Sequence, residues 1–226
     1  MKRVTPIAAV AIAVAALAAG HPVVPAVLAA GWSSPQLAPR TTEEWIKTLD
    51  APARVAAMRV DDILARLNLR PGQVVADLGA GTGAFSLPMA KAVGPSGKVY
   101  AIEIDKGLVD YISRKAADGG AANVQTLLGA PGDPQLPAQV DIAFMHDVLH
   151  HVSERAGYLK AAARYVKPGG RFVIIDPEPA LGPHKADPTL GVSKAQANEW
   201  MKAAGFVPRE DVAMFKDRWF VIYERQ

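Results

Sequence analysis

Asp77 and the glycines that follow it, Gly79, Gly81 and Gly83, are spaced to receive a small polar ligand. Glycine lacks the Cβ that would keep a ligand off the backbone. A helix starting near Ala84 would aim its free N–H groups at the same place. A carboxylate two residues before the first glycine suits an amino group and offers nothing to a pyrophosphate. Glu103 ends the next apolar run, where nucleotide-binding folds hold a ribose, and presents two acceptor oxygens to its hydroxyls. Further on, His146, Asp147, His150 and His151 crowd into six residues. An imidazole or carboxylate there can take a proton from a substrate, so His146, Asp147 and His150 are the candidate catalytic groups. His146 and His150 would share one face of a helix, and with Asp147 that face could ligate a metal. Local packing is the competing reading of the cluster, and no bound metal is expected.

These residues need a scaffold that brings the ends of separate strands together. Apolar runs at Val74–Leu78, Lys98–Ile104, Val124–Leu128, Val140–Met145 and Arg171–Ile175 read as strands. They alternate with helical stretches at Ala84–Val93, Lys106–Ala117 and Glu154–Val166. Near-continuous apolar strands between helices indicate a parallel sheet covered on both faces. A helix over Ser193–Ala204, capped by Ser193 and stopped by Gly205, precedes two β-rich runs, Phe206–Phe215 and Trp219–Glu224. Their short connection requires antiparallel pairing. The expected fold is α/β: a doubly wound, mostly parallel seven-stranded sheet with an antiparallel C-terminal hairpin. Ahead of it, Thr41 or Thr42 can cap a short helix. Arg54–Leu67 reads as one amphipathic helix whose apolar face is Val55, Met58, Ile63, Leu64 and Leu67.

The first thirty residues read as an export signal or N-terminal anchor. Lys2 and Arg3 precede an unbroken Ala/Val/Ile/Leu run from Ile7 to Ala19, and small residues around Ala29 and Ala30 offer a cleavage site. The positive-inside rule then carries the rest out of the cytoplasm, as a periplasmic or secreted domain. Residues 31–53 are a linker and short helix, and residues 54–226 the functional domain. Half of the 226 residues are hydrophobic, enough to build a core. The net charge of +3 falls to +1 without Lys2 and Arg3, which is not the balance of a nucleic-acid-binding surface. The absence of cysteine excludes disulfides, thiolate chemistry and a lipid-anchored N-terminus.

The glycine loop alone admits two chemistries, because Gly79-x-Gly81-x-x-Ala84 also fits the dinucleotide fingerprint of NAD(P) oxidoreductases. Asp77, Glu103 and the terminal hairpin tip the balance. Over Arg54 to Tyr223 the chain resembles the class I S-adenosylmethionine-dependent methyltransferases, with landmarks VVADLGAGTG, VYAIEID, VDIAFMHDVLHHV and LKAAARYVKPGGRFVIIDPEP. The resemblance implies a Rossmann-like fold whose last strand inserts beside the fifth. It implies S-adenosyl-L-methionine as cofactor, its methionine part at Asp77, Gly79, Ala80, Gly81 and Gly83. Glu103 would hold the ribose and Ile104 would pack on the adenine.

One position departs from the pattern. Relatives place an acid after the third strand to accept from the adenine amino group, where this chain has Ala130; Asp133 is the expected substitute. Asp176, Glu178 and His184 follow the fifth strand and form a second rim of the crevice, stiffened by Pro177, Pro179 and Pro183. With no basic patch and no large insertion, the expected methyl acceptor is a small molecule. The rival from another class is an exported, non-catalytic protein that binds S-adenosylmethionine or a nucleoside.

Overall fold

The computed structural model describes residues 40–226, so the expected export signal and most of the linker lie outside the described residues. Seven strands form one sheet: β1 (Val74–Leu78), β2 (Lys98–Glu103), β3 (Val124–Leu128), β4 (Val140–His146), β5 (Val166–Pro177), β6 (Phe206–Asp211) and β7 (Arg218–Arg225). Their order is β3-β2-β1-β4-β5-β7-β6. β1 to β5 pair in parallel, while β7 runs antiparallel between β5 and β6, as the terminal hairpin requires. Strand order reverses at β1, which lies between β2 and β4. The crevice beyond the carboxyl ends of β1 and β4 is where such sheets bind ligands.

Alternating side chains on the central strands feed two cores. On one face Ala76, Leu78, Ala143, Met145, Phe172 and Ile174 pack against α6 (Arg155–Ala163) and α7 (Lys194–Ala203). On the other, Val75, Ile142, Phe144, Val173 and Ile175 pack against α3 (Val60–Leu67) and α4 (Ser86–Val93). Also attached to the sheet is α5 (Lys106–Asp118), whose Ile112 is fully buried with Ala80 and Ala101. Burial on both faces explains why these strands carry almost no polar residues before their carboxyl ends.

Two short helices, α1 (Thr42–Leu49) and α2 (Pro52–Ala57), precede α3. Thr41 caps α1 in a reciprocal box with Glu44, and Ser193 caps α7 with Gln196. The single helix expected over Arg54–Leu67 is two, broken at Arg59, whose φ of 53° is left-handed. Its guanidinium holds the break, donating from Nε to Asp62 and from Nη1 to the Met214 carbonyl, 2.7 Å in each case. α4 starts at Ser86, two residues later than expected, because the glycine turn runs on through Phe85. α6 ends at Ala163 and β5 begins at Val166, so the Lys167–Gly170 turn is drawn into the strand.

Candidate functional site

β1 delivers Asp77 into the floor of the crevice, 3% exposed. Ser86, at the start of α4, donates its hydroxyl to Asp77 Oδ2 at 2.6 Å. Burial, which outweighs that hydrogen bond, and the nearby charge of Glu103 push the Asp77 carboxyl up to about 7. Glu103, at the end of β2, accepts from the Gly81 N–H at 2.9 Å and the Ile104 N–H at 2.7 Å. It too is raised by burial, against the pull of those backbone donors. Neither acid has a cationic side-chain partner among the described residues. Two neighbouring carboxylates without a counter-ion, Asp77 buried and Glu103 half-buried, favour a positively charged ligand and oppose a pyrophosphate.

Gly79, Gly81 and Gly83 all have positive φ, at 76°, 58° and 77°. A Cβ on Gly79 would lie 2.5 Å from Val148, so both backbone and space demand glycine there. Gly79→Ala is expected to destabilise the protein by at least about 2 kcal/mol, the left-handed cost plus displacement of Val148. Denaturant unfolding of the two proteins checks this. Leu49 of α1 leans over Gly81, and α1 and its C-cap rest on α5 through Thr42 Oγ1 to Asp105 (3.1 Å) and Tyr111 Oη to Asp50 (2.7 Å). α1 buries no residue of its own, so this cover is held by polar contacts at the surface. Beneath it lies a cavity of about 50 Å³ lined by Leu49, Met58, Asp77, Gly81, Phe85 and His146.

The structure keeps His146 beside Asp147, Nδ1 3.7 Å from Oδ2, and directs His150 to a different partner. Asp147 adopts a left-handed φ of 56° between β4 and a short 3-10 turn, Leu149–His151. No helix therefore carries His146 and His150 on one face, and His146, Asp147 and His150 do not form the metal-ligand set considered from the sequence. His146 lines the cavity, its ring 4.9 Å from that of Phe85. Burial, aided by Arg218 and Arg54 and opposed by Asp147, lowers its pKa to about 4, so it is neutral at pH 7. Its Nε2 is buried without a partner. Asp147 is instead gripped by Arg218, Nε to Oδ1 at 2.8 Å and Nη2 to Oδ2 at 3.0 Å. Burial alone would raise this carboxyl. The surrounding charges of His146, Arg218 and Arg54 reverse that and hold it at about 2. Since His146 is neutral near pH 7, the two guanidiniums carry the effect there. Such an acid is an ion-pair anchor and a poor base.

His150 turns away from the cofactor loop, its Nδ1 2.9 Å from Asp176 Oδ1, with both side chains buried. His151 and His184 lie beside it, with ring centroids 4.0 and 5.1 Å from that of His150. Burial first, then the neighbouring imidazoles, lower the pKa of His151 to about 3 and also lower that of His184. The fifth-strand rim thus closes on the histidine turn.

The carboxylate of Asp133, the expected substitute for Ala130, accepts from Arg164 Nη2 at 2.7 Å, Tyr165 Oη at 3.0 Å and the Gln135 N–H at 2.8 Å, which tether it to the α6–β5 connection. Contact with an adenine amino group would compete with these donors. Ile104 donates its N–H to Glu103, and Ala80 packs with Ala101 and Ile112 beneath the glycine loop. Sequence reasoning missed Ser86, Arg54 and Arg218. Ser86 had a local signal, a hydroxyl at the first turn after the glycines, whereas Arg218 is 71 residues from its partner.

A doubly wound sheet with a reversed terminal strand, a carboxylate before a glycine loop and an acid after β2 defines the class I S-adenosylmethionine-dependent methyltransferase architecture. Residues 69–218 match the family model described as a methyltransferase domain, and the chain belongs to that family. It is 29% identical over 181 residues to a demethylmenaquinone methyltransferase of Geobacillus sp. (strain WCH70), covering 73% of this chain and 77% of that protein. An uncharacterized 37.1 kDa protein in a transposon of Streptomyces fradiae is 33% identical over 137 residues, which span 59% of this chain and only 37% of that protein. Among solved structures, a SAM-dependent methyltransferase from Aquifex aeolicus superposes with a TM-score of 0.74 at 27% identity, over 83% of this chain and all of the other.

Proposed function

We propose that this protein transfers the methyl group of S-adenosyl-L-methionine to a small, largely apolar acceptor. The observation that carries the reading is the pair of acids without a cationic partner, Asp77 buried and Glu103 half-buried, beside a glycine loop at the sheet's switch point. When bound, the cofactor supplies an electrophilic methyl group on a positively charged sulfur. Held by Asp77, Glu103 and the glycine loop, it would give that methyl to the acceptor's lone pair or carbanion, the electrons of the broken carbon–sulfur bond going to sulfur.

The chain's own residues orient and shield that exchange. Asp77 draws the cationic methionine end to the floor of the crevice, where low dielectric strengthens the attraction. Glu103 takes the ribose hydroxyls, exchanging its hold on the Gly81 N–H for the ligand's donors. Ile104 packs beside the adenine, and with Asp133 committed elsewhere no side-chain acid meets the adenine amino group. The apolar wall of Met58, Phe85 and Phe144 excludes water around His146. His146, neutral with Nε2 unpaired, is the group placed to accept a proton from a bound acceptor.

The similarity to a demethylmenaquinone methyltransferase, together with the apolar wall, puts ring-hydroxylated naphthoquinols first among acceptors. Incubating the protein with methyl-labelled S-adenosylmethionine and a panel of naphthoquinols, phenols and amines tests the proposal. Label in a small-molecule product supports it. A protein that binds cofactor and labels nothing would point to the non-catalytic binding role. Glu103→Gln is expected to weaken cofactor binding by about 1.5–3 kcal/mol, the value of charge-assisted hydrogen bonds lost from the ribose. Calorimetric titration of the folded variant measures this directly.

Residues 1–30 we read as the signal that exports this domain or anchors it to the membrane, on their positive start, apolar run and small-residue end. Among the described residues no helix is long and apolar enough to cross a membrane. Fusion of residues 1–35 to a reporter active only outside the cytoplasm is expected to give signal. Recovery of the intact chain, beginning at Met1, from the soluble cytoplasm would overturn that reading.

A further inference from the structure

We propose that His150, His151 and His184 form a binding site for one divalent transition-metal ion of the zinc class, on the acceptor side of the crevice. One ligating atom from each imidazole lies within 4.8 Å of the others, though the residues come from two separate segments. The 3-10 turn after β4 supplies two, and the proline-rich segment after β5 supplies the third. The three rings face one another, with His184 5.4 Å from His151 and 5.1 Å from His150.

Two further observations single the cluster out. Nδ1 of His151 is buried with no hydrogen-bond partner, which is costly for a polar atom unless something binds it. Behind His150 stands Asp176, fully buried, with Oδ1 2.9 Å from Nδ1. A carboxylate behind a histidine, fixing its tautomer so that Nε2 presents its lone pair, is the usual outer support of a zinc-ligating imidazole. Its other oxygen, Oδ2, is also buried and has no hydrogen-bond partner.

The donor set selects the metal. Three imidazoles suit Zn²⁺ and its neighbours, whereas Mg²⁺ and Ca²⁺ require oxygen ligands. Tetrahedral zinc with bonds of about 2.0–2.1 Å needs its nitrogens roughly 3.3 Å apart, so the collar closes by about an ångström or more on binding. His184 provides that movement, because it rides on the segment Glu178–Asp187 and is only half-buried. Three protein ligands leave a fourth position open to solvent or substrate, the pattern of a working site rather than a sealed structural one. The adjoining cleft, lined by Pro177, Glu178, Gly182 and Lys185, would deliver an oxygen-bearing acceptor to it.

The test uses the full-length chain without a histidine tag, stripped of metal, checked for folding by circular dichroism, and titrated with Zn²⁺ against a chromophoric chelator. One Zn²⁺ per chain is expected, and Co²⁺ in its place should give the intense visible absorption of a four-coordinate site. His184→Gln, on the surface segment, should lower zinc affinity by about a hundredfold or more, and Asp176→Asn by about ten- to a hundredfold. His146→Gln should leave it unchanged. If no stoichiometric Zn²⁺ binds, or if His184→Gln and His151→Gln bind it as tightly as the native chain, the site does not exist.

Discussion

Asp77→Asn is expected to abolish tight cofactor binding while making the ligand-free protein more stable. The variant keeps the shape of the side chain and a partner for Ser86 but removes the charge that faces the cationic ligand. Losing one member of a buried charged pair costs about 2–4 kcal/mol, a thirty- to thousandfold loss of affinity. The stability change runs the other way. The folded carboxyl is pushed up to about 7 from the ordinary carboxylate range, so folding favours the protonated form and is opposed once the group ionises. That opposition is full above pH 7, fades as pH falls from 7 toward 4, and is absent in the asparagine variant. The melting temperature of the ligand-free variant at pH 8 should therefore rise. Cofactor affinity of the native protein should fall about tenfold between pH 8 and pH 6, because binding requires the ionised form, and this dependence should vanish in Asp77→Asn. Calorimetry at several pH values and thermal melts read all three effects. Equal affinities for the two proteins would place the cation elsewhere.

Arg218→Met is expected to be the most destabilising single change around the crevice, by about 3–5 kcal/mol, because it strands the buried charge of Asp147. The Asp147 carboxyl is held at about 2, so its contribution is present above its unfolded value near 4 and is lost only as pH falls through 2. At pH 7 the whole loss should appear in urea unfolding. Arg54, 3.7 Å from Oδ2 and more exposed, can recover part of it. The double variant Arg218→Met, Asp147→Leu should be more stable than the single one, since no unpaired charge remains. A double variant as unstable as Arg218→Met would show that Arg218 acts through packing on Phe215 instead of through the ion pair.

These two residues also mark where sequence stops informing structure. The β1–glycine–α4 unit was legible because its signals are local: an apolar strand, glycines at required spacing, then a helical period. The parallel sheet and the reversed terminal strand followed from similar local runs. The fate of the histidine cluster did not, since Asp147 takes a left-handed conformation that no neighbour announces. That one backbone turn sends His146 to the cofactor cavity and His150 to Asp176, and so divides what looked like one constellation. The partners of Asp133 were hidden for a related reason: Arg164 and Tyr165, more than thirty residues away, hold its carboxylate. The break at Arg59 likewise depends on the Met214 carbonyl, which is 155 residues distant. Local chemistry was readable, and long-range partnership was not.

The central claim is that the paired acids and the glycine loop hold S-adenosylmethionine. Isothermal titration of the purified protein with S-adenosylmethionine, its demethylated product and NAD⁺ tests it most directly. One molecule of S-adenosylmethionine per chain should bind, the uncharged-sulfur product should bind at the same site, and NAD⁺ should give no heat of binding. Binding of NAD⁺ with no response to S-adenosylmethionine would contradict the account.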